Sequence, residues 1–316
     1  MNITVDCDLN AAWLNASDHP ALIKLLAKAQ RSLQAMPLEA WLCQQFALLA
    51  QPDYPIAAIA AHGDGLNASA GYWLRADPVH LVLQRDCFSL HEAFPLPLSP
   101  AHATALLASL NAHFNQDGLR FLQGQSGAWY VQLAQAPQIK TALPSVALDK
   151  NTANFLPQGN DASRWVSVLN EVQMLLHDHP VNALRSAQDD LAVNSVWFSG
   201  GGGLPTALTS NQAGLMANSP LYRGLAKLAD LPMAAIAENC EAILHRPAQD
   251  LRVHLTCNSR LDEDWFAPLL LGLRQGRLSQ LTLNLGFYEQ TLLLAIRPRD
   301  LYKFWRRARP LAEYWA

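Results

Sequence analysis

The apolar positions change period several times along the chain, and each change marks an element. Leu22, Leu25, Leu26 and Ala29 recur at helical spacing and predict a helix over 20–33, with Ser17 or Asp18 as its cap. Pro37 breaks that pattern, and 38–49 resumes a helical period. Turn formers bound 53–66, at Pro52-Asp53-Tyr54-Pro55 and Gly63-Asp64-Gly65. Strand texture follows at 72–75 and 79–83, split by Asp77-Pro78. Ser99-Pro100 opens a helix over 101–114, Asp117-Gly118 closes it, and 120–122 with 128–133 predict a hairpin.

That order of strand, strand, helix, strand, strand predicts an α+β module at about 67–150. A polar stretch over 149–161 separates it from a helix over 162–177. An apolar strand over 194–198 then runs into a glycine run. Helices around 219–229, strands at 233–237, 251–257, 279–285 and 291–296, and a basic aromatic helix over 301–315 complete the pattern. Strands alternating with helices predict an α/β layered fold. Its expected parts are an N-terminal helical part of the layer (1–66), the inserted module (67–150) and a C-terminal α/β layer (151–316).

Composition narrows the function classes. Half of the 316 residues are apolar and 16% are charged, which excludes a disordered or coiled-coil chain. The net charge of −3 gives no electrostatic reason to expect nucleic acid across the whole surface. No apolar run approaches the roughly 20 residues of a membrane span, and the first residues lack a signal-like apolar stretch. A soluble, cytoplasmic protein without a membrane partner is expected. The five cysteines (Cys7, Cys43, Cys87, Cys240 and Cys257) are scattered without a CxxC, so they read as small buried side chains in a reducing compartment.

Four segments carry candidate chemistry or binding. In 177–185, His177, Asp178, His179, Asn182 and Arg185 crowd together, and Arg185 could hold a carboxylate or phosphate bidentately. The alternative is a helix C-terminus decorated with histidines, which the helix dipole favours. Gly200, Gly201 and Gly202, after Ser199, could turn backbone N–H groups toward an anion, or form only a surface loop. Arg75, Asp77 and His80 lie between two predicted strands, at a pocket edge or a plain Asp-Pro turn. Lys303, Arg306, Arg307 and Arg309 with Trp305 could meet an acidic partner, or form a solvated helix face. No P-loop, GxSxG elbow, HExxH or EF-hand motif occurs.

Leu169-Asn170-Glu171, His179-Pro180-Val181-Asn182, Arg185, Asn194, the glycine run and Pro205 together resemble the core of archaeal-type cofactor-independent phosphoglycerate mutases, of the alkaline-phosphatase-like superfamily. Arg75 resembles the family's Arg ahead of its Asn-Phe-Ala-Thr motif. The matching motifs concentrate at 169–205, with a looser match over 71–133. Overall the chain is similar to short proteobacterial proteins catalogued as phosphoglycerate mutases or as RpfE-type regulatory proteins. The resemblance implies a shortened alkaline-phosphatase-like layer with the inserted module. It also implies a ligand site built from Arg75, His179, Asn182, Arg185, Asn194, Gly200, Gly201 and Gly202.

The departures shape the functional expectation. The family works with two divalent metals held by Asp and His, plus a Ser that takes the phosphoryl group. Its metal segment falls here on Val253 to Asp264, with no His after the acids, and its N-terminal Asp-Gly motif falls on Asp6-Cys7. The Arg expected before the glycines is Ser199. The resemblance therefore implies a degenerate, non-catalytic relative with a regulatory or anion-binding role. Its expected partner is a phosphorylated or carboxylated small metabolite, with no metal or other cofactor. The alternatives are an active mutase with ligands rebuilt from Asp6, Asp8, His254, Asp262 and Asp264, and a structural interaction protein using the basic C-terminal segment.

Overall fold

The computed structural model describes residues 1–15, 19–91, 95–210, 212–245 and 250–315. The chain divides into two compact units, Met1–Ala47 with Leu208–Ala316, and Leu48–Ala207. It begins with β1 (Asn2–Asp8), α1 (Ala11–Asn15), α2 (Pro20–Lys28), β2 (Gln30–Gln34) and α3 (Leu38–Gln45). The second unit follows as α4 (Ile56–Gly63), β3 (Tyr72–Val79), β4 (Leu81–Leu83), β5 (Phe88–Leu90), α5 (Pro100–His113), β6 (Arg120–Gln123), β7 (Trp129–Leu133), α6 (Pro144–Ala147), α7 (Ala162–His177), α8 (Pro180–Ser186) and β8 (Ser195–Gly202). The chain then returns to the first unit with β9 (Leu215–Met216), α9 (Pro220–Leu228), β10 (Met233–Ala234) and α10 (Glu241–Leu244). The last elements are β11 (Leu251–Thr256), α11 (Ala267–Arg274), β12 (Gln280–Phe287) and β13 (Gln290–Ile296).

The first unit is α/β. Among the described residues its sheet runs β10-β9-β11-β1-β12-β13-β2, with the first five strands mutually parallel and the β12–β13 and β13–β2 pairings antiparallel. Strand β1 lies between β11 and β12. Its alternation sends Ile3, Val5 and Cys7 into a core with Leu22, Leu25, Leu26, Leu269 and Leu273, and leaves Thr4, Asp6 and Asp8 on the other face. The expected caps Ser17 and Asp18 lie outside the described residues. The carboxylate of Asp262 instead accepts from the backbone N–H groups of Ala21 (3.1 Å) and Leu22 (2.9 Å), at the start of α2.

Two predicted helices end differently here. α2 stops at Lys28, and Gln30–Gln34 becomes an edge strand paired with β13, because sheet pairing overrides a weak local helical period. The basic C-terminal segment forms no α-helix. It has short 3₁₀ turns at Pro298–Tyr302 and Leu311–Tyr314, with 303–310 in neither. Pro310 disfavours helical backbone at Arg309 and removes a donor.

The second unit is an antiparallel sheet, β6-β7-β3-β8, with a separate β4-β5 pair. One face packs Tyr72, Leu74, Ala76, Phe121, Val131 and Phe198 against Leu106, Leu110, Trp165, Val172 and Val181, from α5, α7 and α8. The unit is therefore wider than the predicted 67–150: β8 pairs with β3, and α7 covers the sheet they share. Nor does Asp77-Pro78 split a strand, since β3 continues through it. β7 pairs with β3 only as far as Arg75, so Pro78 has a partner strand on one side alone, where a missing N–H is tolerated.

The glycine run is a strand end rather than a loop. Gly200, Gly201 and Gly202 belong to β8, and Gly200 takes φ +66° where the β3–β8 register shifts. A Cβ on Gly201 would lie 2.2 Å from the Tyr72 hydroxyl, and one on Gly202 would lie 2.5 Å from the Cβ of Pro55. The glycines thus let Pro55, at the head of α4, and Tyr72 approach the strand backbone. Gly202→Ala should therefore destabilise the protein by roughly 1–3 kcal/mol in urea unfolding. Gly203→Ala, whose Cβ would meet nothing nearer than 3.8 Å, should shift stability by less than about 0.5 kcal/mol.

Candidate functional site

In the first unit the polar chemistry centres on Asp6, fully buried in the middle of the sheet. Parallel register sets Asp6 level with His254 on β11 and Asn284 on β12, with Arg252 two residues before His254. The carboxylate receives four hydrogen bonds. Arg252 donates from Nε (2.5 Å) and Nη2 (2.9 Å), Tyr222 from its hydroxyl (2.9 Å) and Asn284 from Nδ2 (2.7 Å). A carboxylate has about four lone-pair sites, so Asp6 is saturated. Burial opposes the charge on Arg252, but Asp6 outweighs it and holds the guanidinium protonated above its ordinary range. The His254 ring stacks on Tyr222 at 4.4 Å, and burial pulls its pKa down to about 4.

These residues do not fit the two-metal centre that the motif resemblance implies. Asp6 has no acceptor site left for a cation. Asp262 caps α2, and Asp264 pairs with Arg260 at 2.8 Å. Among the described residues no three His, Cys, Asp or Glu side chains gather where they could hold a metal ion. Arg252 supplies the positive charge that balances Asp6. The sequence signal for this cluster is a cation inside an apolar strand, Leu251-Arg252-Val253-His254-Leu255, and an amide inside another, Leu283-Asn284-Leu285. Tyr222 gives no comparable signal, because it reads as one more apolar position of an amphipathic helix.

In the second unit the residues singled out from sequence hold backbone. His179 is the N-cap of α8: its Nδ1 accepts from the N–H of Val181 (3.2 Å), and its Nε2 lies 2.9 Å from the Ser109 hydroxyl. Asn182 donates to the carbonyls of Leu176 (2.7 Å) and Val193 (2.8 Å) and accepts from the N–H of Val193 (2.8 Å). Arg185 donates to the carbonyls of Leu191 (2.7 Å) and Pro97 (3.0 Å), with 3% of its side chain exposed. Asn194 exchanges two hydrogen bonds with the backbone of Leu81, as a paired strand residue would.

Arg75 stands apart from that group. Tyr72, Leu74 and Ala76 face α5 and α7, so Arg75 and Asp77 point to the opposite face of the sheet. Strand alternation thus sends the Arg75 side chain away from the face that α8 and Arg185 cover. Arg75 pairs with Asp77 at 2.9 Å, lies opposite Ser199 across the β3–β8 ladder, and keeps 19% of its side chain exposed. The buried Ser199 hydroxyl and Asp77 Oδ2 have no hydrogen-bond partner among the described residues. A carboxylate missed from sequence, Asp64, accepts from the N–H and hydroxyl of Ser126 (2.8 and 2.6 Å) and from Tyr130 (3.2 Å). Its Asp-Gly context reads as an exposed turn, which hides it.

No family model matches the chain, and no curated protein does. Solved structures similar to it include the cofactor-independent phosphoglycerate mutase of Thermoplasma acidophilum DSM 1728, 13% identical, with 98% of this chain and 94% of that one covered and a TM-score of 0.43. A second, a protein of Pyrococcus horikoshii, is 12% identical, with 94% and 87% covered and a TM-score of 0.47.

Two stability predictions follow from the Asp6 cluster. Arg252→Ala should cost about 3–5 kcal/mol, by stranding a buried carboxylate, whereas Asp6→Leu with Arg252→Met, Tyr222→Phe and Asn284→Leu, which leaves no donor of the cluster without its acceptor, should recover most of that loss in urea unfolding. His254 has a folded pKa below its unfolded value of about 6.5, so its contribution is complete above that pH and is lost as pH falls toward 4. Between about pH 7 and 5 the wild type should lose more stability than His254→Gln, by on the order of 1–2 kcal/mol.

Proposed function

We propose that this chain is a non-catalytic relative of the cofactor-independent phosphoglycerate mutases, acting by binding in a regulatory role of the kind that the RpfE-type resemblance implies. The observation that carries the reading is the saturation of Asp6. The carboxylate that the motif resemblance puts at the metal centre is held instead by Arg252, Tyr222 and Asn284. A guanidinium balances the charge of Asp6, but it has no open coordination position at which to bind a phosphoryl oxygen or activate a hydroxyl. Phosphoryl transfer thus loses its electrophile while the fold keeps its charge balance.

The metabolite-binding part of the reading narrows to Arg75. Arg185 is 3% exposed and holds two carbonyls and Asp190, whereas the Arg75 side chain, paired with Asp77, keeps 19% of its surface exposed on the strand opposite Ser199. The neighbouring Asp77 already neutralises much of its charge, which favours weak binding of a small anion.

Two measurements test the reading. Purified protein dialysed against Mn²⁺ or Mg²⁺ should retain no stoichiometric metal and should not interconvert phosphoglycerates. Two bound metals per chain, or turnover that depends on them, would overturn it. In thermal melts with a panel of phosphate and carboxylate esters, stabilisation of wild type should vanish in Arg75→Ala. Arg185→Ala should lower the melting point with or without ester, by roughly 3 °C for each 2 kcal/mol lost in a chain of this size.

A further inference from the structure

The segment 297–309 contains six cations and one acid, in a chain whose overall charge is −3. It also presents three large aromatic side chains to water: Tyr302 is 80% exposed, Phe304 85% and Trp305 65%. Phe304 and Trp305 meet edge to face at 5.2 Å, so they form one apolar tip rather than two scattered side chains. The backbone beneath them is fixed. Lys28 Nζ donates to the carbonyls of Lys303 (2.7 Å) and Arg306 (2.9 Å), and Arg306 Nη1 donates back to those of Lys28 (3.1 Å) and Ala29 (2.7 Å). Lys303 pairs with Asp300. Arg299, Arg307 and Arg309 are exposed, and Arg299 shares the field of Asp300 with Lys303.

We infer that this segment is a peripheral docking surface for an anionic lipid bilayer. Charge complementarity selects a negative partner. The aromatics select a partner into which Tyr, Phe and Trp can sink at an interface between polar and apolar layers. The size of the patch argues in the same direction. A standard protein interface takes about 20–30 residues a side, whereas these are thirteen consecutive residues. A bilayer needs only a few inserted side chains ringed by cations. The pinning by Lys28 and Arg306 presents the tip already ordered, which lowers the entropy lost on docking. No described helix is long and apolar enough to cross a membrane, so the contact is one of surface attachment.

Co-sedimentation of the full chain with vesicles tests this, using phosphatidylcholine alone and phosphatidylcholine mixed with phosphatidylserine. The chain should sediment with the mixed vesicles, not with phosphatidylcholine alone, and should be released by high salt. Phe304→Ser with Trp305→Ser, and separately Arg299, Arg307 and Arg309 each→Gln, should each weaken binding by about tenfold or more. All five side chains are exposed, so circular dichroism should be unchanged in both variants. Absence of binding to the mixed vesicles overturns the inference. So does equal binding by the aromatic variant, or retention of the chain on polyglutamate or a single-stranded oligonucleotide without vesicle binding.

Discussion

The buried pairing of Asp6 with Arg252 is the constraint on which the first unit depends. It joins the two strands at the centre of the sheet, while Asn284 ties in the third and Tyr222 fixes α9 above them. An isolated charge in that position would cost several kcal/mol, so the four donors must all be in place for the parallel register to be favourable. The register in turn brings the donors to Asp6: it sets Asn284 level with it on β12 and Arg252 two residues before the level position on β11.

The second unit applies the same rule to unpaired backbone groups. Its buried polar side chains serve backbone that the sheet and helices leave unpaired: Asn182 for Val193 and Leu176, Asn194 for Leu81, Arg185 for Leu191 and Pro97. These loops turn sharply beside a packed core, where water cannot complete the hydrogen bonds. Residues that suggest ligand contacts by their type are therefore structural by their partners. Arg75, on the other face of the sheet, keeps 19% of its side chain exposed.

Much of the fold was legible in the sequence, because long helices and tight hairpins are locally determined. The period of α5 and α7, the β6–β7 hairpin and the β12–β13 pair all read directly from residue spacing. Features settled by distant partners were not. Gln30–Gln34 is a strand because β13 lies beside it, Gly200–Gly202 is a strand because Pro55 and Tyr72 press against it, and 303–310 is held by Lys28. The candidate site shows the same division. The motif around His179 and Arg185 was visible as a motif, but its partners are backbone atoms, which carry no residue-type signal. Asp6 was visible as an acid, while its saturation required three other elements to converge on it.

The Asp6–Arg252 pair also constrains what the chain can become. Removing Arg252 alone, to free the carboxylate for a cation, strands a buried charge at a cost of about 3–5 kcal/mol. That is comparable to the whole stability margin of many folded chains, about 5–15 kcal/mol. Intermediates on such a mutational path would be depleted before any metal could rescue them. The ion pair therefore works as an evolutionary lock: neither position can change alone, and a joint change must also re-satisfy the Tyr222 hydroxyl and the Asn284 amide that donate to Asp6.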